Sequence, residues 1–167
     1  MITKNMINIM LQGIWGSTAV LKQADGLFDM AGSSSYKSLF STTFKPGISS
    51  SSHGMTARVG GGTTKPTVYD YKLEEPIDNI TFTTIGQSNT YWTTSSSMTD
   101  EQFYNQSNTC AFVVTNNNSE DVTISEIGLF YRMGAETRLA LLYRETFNPV
   151  TLAPNESYSF TVNLGLV

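Results

Sequence analysis

The chain has 167 residues, of which 14% are charged, and a formal net charge of −4. That length suits one hydrophobic core, and ten scattered Lys and Arg residues against fourteen Asp and Glu form no basic stripe for nucleic acid, whose binding depends on displacing counterions. A single cysteine, Cys110, excludes an internal disulfide and a cysteine-based zinc site.

Serine and threonine make up about a quarter of the residues, against an ordinary charged fraction of about 25% that this chain does not reach. A surface poor in charge must be covered by hydroxyls and amides or by neighbouring subunits. Residues 2–14 place apolar side chains at Ile2, Met6, Ile9, Met10 and Ile14, one face of a short helix, while Ile7, Ile9 and Leu11 alternate as a strand would; helix is the preferred reading. Asn5, Asn8 and Gln12 interrupt this segment, so it reads as neither a signal peptide nor a membrane span, which needs about 18 apolar residues. A soluble protein kept in a cytoplasm is the expectation. From Ser17 to Ser52 come small polar residues broken by single aromatics, Phe28, Tyr36, Phe40 and Phe44. Such a length without periodicity predicts either an arm that orders on a partner or an extended loop wrapped over a neighbour.

From Ile77 onward the pattern is that of strands. Ile77 to Ile85, Thr90–Thr94, Ala111–Val114, Val122–Arg132, Leu139–Tyr143 and Tyr158–Leu164 read as strands, bounded by turn residues. Turn signals separate them at Thr115–Ser119, Met133–Ala135 and Pro149–Asn155. The expected fold is all-β, an antiparallel sandwich of jelly-roll or immunoglobulin-like type over residues 59–167, with residues 1–58 as a loop-rich arm containing a short helix. Val122–Arg132 and Arg138–Arg144 should form its central hairpin.

The run from Val59 to Pro66, VGGGTTKP, resembles a phosphate loop only superficially. A phosphate cradle needs glycine before its lysine and a helix beginning there; here Thr64 precedes Lys65, and Pro66 removes an N–H and disfavours helix. Gly60, Gly61 and Gly62 instead read as a sharp turn or close backbone approach, with Pro66 and Asp70 leading the chain into Leu73. His53 is the only histidine and lies in a loop-like stretch that is a poor place to hold a catalytic imidazole. The pairs Glu74-Glu75, Asp100-Glu101 and Glu120-Asp121 are adjacent residues, which point to opposite faces of a strand and do not share chemistry. No catalytic, cofactor or metal residue is assigned. Glu126 stands apart because Ile124, Gly128 and Phe130 are expected on its face. A carboxylate there costs several kcal/mol unless paired, with Arg132, Arg138 and Arg144 as the available partners. It reads as a structural pin. Tyr91 and Trp92, near Phe103 and Tyr104, suit either a carbohydrate platform or a wet protein interface.

Several segments in order carry a family resemblance: Ile2-Thr3 and Asn8; the loop Val59-Gly-Gly-Gly-Thr-Thr-Lys-Pro66 followed by Asp70-Tyr-Lys-Leu73; Ser125-Glu-Ile-Gly-Leu-Phe130; and Leu141-Leu-Tyr-Arg144 with Phe147-Asn-Pro-Val-Thr151. Together they resemble small virion structural proteins of tailed bacteriophages. The resemblance implies a non-enzymatic β-sandwich component of the head, neck, tail or fibre attachment, assembled in the host bacterial cytoplasm as a homo-oligomer in contact with other virion proteins. Neither nucleic acid nor membrane is an expected partner. Contact candidates are Gly60, Gly62, Pro66, Leu73, Glu126, Gly128, Arg132, Arg144, Phe28, Phe40 and Phe44. The alternative is a carbohydrate-binding or receptor-binding module of a phage tail or cell surface that uses Tyr91 and Trp92.

Overall fold

A computed structural model describes residues 1–8, 19–31, 53–87, 109–133 and 139–163. Eight strands run through them: β1 (Ala19–Lys22), β2 (Phe28–Ala31), β3 (His53–Gly60), β4 (Ile80–Gln87), β5 (Thr109–Asn116), β6 (Val122–Met133), β7 (Leu139–Leu152) and β8 (Ser157–Asn163). All pairings are antiparallel. β1 and β2 form a ribbon, and the other six make two three-stranded sheets in the orders β3-β6-β7 and β4-β5-β8. Apart from one helical turn at residues 4–8, the described structure is all-β. None of its helices is long and apolar enough to cross a membrane.

The two sheets contribute to one apolar cluster. Ala57, Val59, Ile124, Ile127, Leu129 and Leu152 come from the first, and Phe112, Val114, Phe160 and Val162 from the second. Phe112 lies 5.9 Å from Phe82 and 6.1 Å from Phe160 between ring centroids, separations at which aromatic pairs attract beyond their buried area. In β5 the period of two is plain, since Phe112 and Val114 are buried while Ala111, Val113 and Thr115 are half-buried.

β6 is buried on both faces. Ile127 and Leu129 enter the shared cluster, while Phe130 packs on the other side with Leu73, Leu139 and Leu141. A central strand covered on both sides carries a nearly continuous apolar run, which is why Ile127 to Tyr131 contains no charged residue. Gly128 belongs to that second face, where a Cβ would meet Leu141, Leu73 and Phe130 at 2.8 Å each. The expected alternation fails at one point. Ser125 donates to the carbonyl of Gly62 and Glu126 accepts from the Gly62 amide, so two adjacent residues turn to the same side. Ile124 therefore enters the shared cluster instead of lying on the face of Glu126. The sheet register shifts there too, from Ile124↔Val150 to Glu126↔Thr146. Phe147, Asn148 and Pro149 bulge out of β7 at this point, a setting that tolerates proline. The expected turn at Pro149 is thus a bulge within one long strand.

The boundary expected between an arm and a sheet domain, at residues 58 and 59, falls within β3. β3 spans it and pairs with β6 along its whole length, from His53↔Met133 to Gly60↔Glu126. Hydrophobic content was too thin at 53–58 to mark a strand, and its partner supplies what propensity does not. The described parts of the first third are tied to the chain's own strands. Thr3 donates from its amide to Leu142 at 2.9 Å and from its hydroxyl to Leu141 at 2.6 Å. Asn5 joins the Lys22 carbonyl at 2.7 Å to the Leu141 carbonyl at 3.2 Å, and Leu21 is fully buried. Phe28 opens β2. Tyr36, Phe40, Phe44 and the expected strand at 90–94 lie outside the described residues.

One end of the sheets is closed by Asn116. Its side-chain amide donates to the Glu120 carbonyl at 2.9 Å and the Leu152 carbonyl at 3.0 Å, and its oxygen accepts from Asn118 at 2.8 Å. Asn79 and Asn155 flank it with φ of 56° and 63°, a region asparagine enters more readily than other side chains. Asn116→Ala strips buried carbonyls of their donor, and urea denaturation should show a loss of about 2–3 kcal/mol.

Candidate functional site

The loop between β3 and β4 folds back over the face of β6 that carries Glu126. Glu126 lies opposite Gly60 of β3 and Thr146 of β7, while Arg144 lies opposite Gly128. The two charged residues are therefore diagonal neighbours on one face. Glu126 is 0% exposed and Arg144 3%.

Burying a carboxylate demands that its lone pairs be filled, and four donors fill them here. Oε1 accepts from the amides of Gly62 at 3.2 Å and Glu75 at 2.9 Å. Oε2 accepts from the Glu74 amide at 3.2 Å and from Arg144 Nε at 2.7 Å. The guanidinium then forks outward, with one terminal nitrogen on Asp70 at 2.9 Å and the other on Glu74 at 3.3 Å. These outer carboxylates each hold a further piece of the loop. Asp70 accepts from the amide and hydroxyl of Thr67 at 3.0 and 2.7 Å, and Glu74 from those of Thr64 at 2.9 and 2.6 Å.

The glycines make this approach possible. A Cβ at Gly60 would collide with the Glu126 carboxylate and the Glu75 carbonyl, and one at Gly62 would stand 2.5 Å from Glu74 Cβ and 2.7 Å from Glu126 Oε1. The loop also closes the edge of β3, through Gly61 N to Glu75 O at 2.8 Å and Ile77 N to Val59 O at 3.0 Å. Leu73 seals the apolar half of the same face, and Lys22 Nζ sits 3.7 Å from the centroid of the Tyr71 ring. The amides of Gly62, Thr64 and Thr67, which an anion cradle would need, all point at carboxylates of their own chain.

Three carboxylates surround one guanidinium, and the titration behaviour follows. For Arg144, burial disfavours the charge, but the bonds to Asp70 and Glu126 outweigh it and hold the guanidinium above its ordinary value. Burial likewise pushes Asp70 up, yet the Thr67 amide and Arg144 bring it below the usual carboxylate value. The Thr64 hydroxyl and amide lower Glu74. Beside the cluster, burial first and the Glu145 carboxylate second push the Tyr143 hydroxyl up.

Gly60, Gly62, Leu73, Glu126, Gly128 and Arg144 are thus brought to one place. Pro66 sits half-buried in the loop without a part in the cluster. Arg132 lies in β6 near its end, Arg138 lies outside the described residues, and Arg144 is the guanidinium that meets Glu126. Asp70, Glu74, Thr64 and Thr67 escaped assignment as members of the pin. The spacing Thr67-x-x-Asp70, in which a short hydroxyl residue and a carboxylate close a turn on each other, was the legible signal. Tyr91 and Trp92 lie outside the described residues. Among the described residues no group of three or more His, Cys, Asp or Glu is placed to hold a metal ion. The sequence matches no family model, and comparison with the curated proteins and with the solved structures found no match.

Arg144→Met leaves Glu126 buried without its countercharge and sets Asp70 and Glu74 against it. Denaturant unfolding should show a loss of about 3–5 kcal/mol, of which Arg144→Lys recovers only part because an ammonium does not fork. Asp70, lowered in the folded state, takes up its proton first in the unfolded chain. Its contribution is therefore present above the ordinary carboxylate pKa and lost as pH falls through the lowered one. The stability gap between the wild type and Asp70→Asn should hold steady from neutrality to about pH 5 and close below about pH 4.

Proposed function

We propose that this chain is a non-enzymatic structural protein of a tailed-bacteriophage virion, a β-sandwich of jelly-roll or immunoglobulin-like type that assembles as a symmetric oligomer with other virion proteins. It is made in the host bacterial cytoplasm and serves at the head surface, neck, tail or fibre attachment. The observation that carries the non-enzymatic part is the complete occupation of Glu126. Both oxygens of this buried carboxylate are taken by four donors of its own chain, so no lone pair is left for a substrate proton. A general base must reach its substrate, and this group reaches only the loop it holds. The glycine loop and the Glu-Ile-Gly-Leu strand of the phage resemblance are the two segments that Glu126 and Arg144 join, which gives those short motifs one shared structural purpose.

In this reading residues 1–8 and 19–31 also brace the chain's own strands, through Thr3 and Asn5. Mass spectrometry of gradient-purified tailed particles from a host encoding this chain should recover it at several copies per particle. Particles that lack it while the lysate contains it in quantity overturn the virion role.

A further inference from the structure

Four strands form the outer edges of the two sheets, and an uncovered edge offers its amides and carbonyls to any passing strand. Three of the four are guarded. Along β7, Thr3 bonds to Leu142, Ile2 bridges Tyr143, and Pro149 interrupts the ladder farther on. Residues 75–77 cover the end of β3. β4 carries an extra residue, Ile85, between the pairs Thr84↔Phe112 and Gly86↔Ala111. Among the described residues β8 has no such device. Its sequence SYSFTVN contains no charge, proline or glycine. It pairs with β5 without a register break, and among the described residues no strand lies on its other side.

The ladder shows which groups face outward. Asn116 donates to Glu156 at 2.9 Å, which places that pair in the bonded set. The bonded pairs then alternate along the register as Val114↔Tyr158 and Phe112↔Phe160. Ser157, Ser159 and Thr161 therefore turn their N–H and C=O away from β5. Tyr158 is 44% exposed although it sits on the side of Phe160, with ring centroids 4.9 Å apart.

We propose that β8 is the contact through which two copies of this chain pair, edge to edge and antiparallel about a two-fold axis, with Ser159 opposite its symmetry mate. That register sets Ser157 against Thr161 and Thr161 against Ser157, so every outward residue of both strands exchanges bonds. Tyr158 then meets Phe160 of the second copy, and the two β4-β5-β8 sheets become one continuous sheet. A second copy suits this edge better than a foreign charged strand. The residues the register sets opposite one another on the outer face, Ser157, Ser159 and Thr161, are exposed and offer hydroxyls that both donate and accept and no charge to pair. The contact deepens the proposed assembly, and the two fail separately. A β8 dimer formed by a protein that particles lack removes only the virion role.

Sedimentation velocity of the full chain tests it. The wild type should sediment as a dimer or an even multiple, and Ser159→Lys, which places an ammonium at the two-fold axis on an already exposed position, should at least halve that mass with the circular dichroism unchanged. Ser159→Cys should give a disulfide-linked dimer on mild oxidation, since directly opposed bonded residues stand about 5.5 Å apart, within disulfide range. The wild type, which retains Cys110, is the control. A wild type that stays monomeric at every concentration, or a Ser159→Lys protein that keeps the wild-type mass, overturns the proposal.

Discussion

A carboxylate shut off from water governs one side of this molecule. Glu126 is tolerable in its position only while three loop amides and a guanidinium reach it, and the amides are available only when the chain between β3 and β4 lies flat across the sheet. The loop in turn can lie flat only because Gly60 and Gly62 have no side chains to lift it. Charge, backbone and glycine placement therefore form one unit, in which the penalty for failing to assemble is larger than the gain from assembling. Such an arrangement selects one loop conformation more than it adds stability.

The strands of the second sheet, β4, β5 and β8, contain no charged side chain. The outer face of the β4-β5-β8 sheet carries threonine, serine, alanine and valine in cross-strand rows such as Thr81, Thr115 and Ser157, with Thr115 and Ser157 joined through their hydroxyls at 2.8 Å. Among the described residues Asp70, Glu74, Glu126 and Arg144 gather where they hold the loop, and none of these four lies in the β4-β5-β8 sheet.

Much of this was legible in the sequence, and the failures have physical causes. β5, the β6-β7 hairpin and β8 stood out because alternating β-branched and aromatic residues between asparagine and glycine turns have few other solutions. The need of Glu126 for a partner followed from its apolar neighbours, but the choice among three arginines did not, because it depends on which residue a bulged strand sets diagonally across from it. β3 was hidden because His53 to Arg58 holds few apolar residues and owes its conformation to pairing with β6. The association of residues 1–5 with β7 rests on backbone bonds and the polar side chains of Thr3 and Asn5, and such bonds leave no mark in a pattern of hydrophobic positions.

The wide separation of β3 from β6 along the chain sets the order in which these parts come together. β6 and β7 adjoin through a short connection and close early at little entropic cost, while β3 and the loop behind it must return across β4 and β5. Until they arrive, Glu126 remains hydrated and the charge burial has not begun. The pin is thus a late event in folding and an early one in unfolding, so its strength is felt in how slowly the native protein comes apart rather than in how fast it forms.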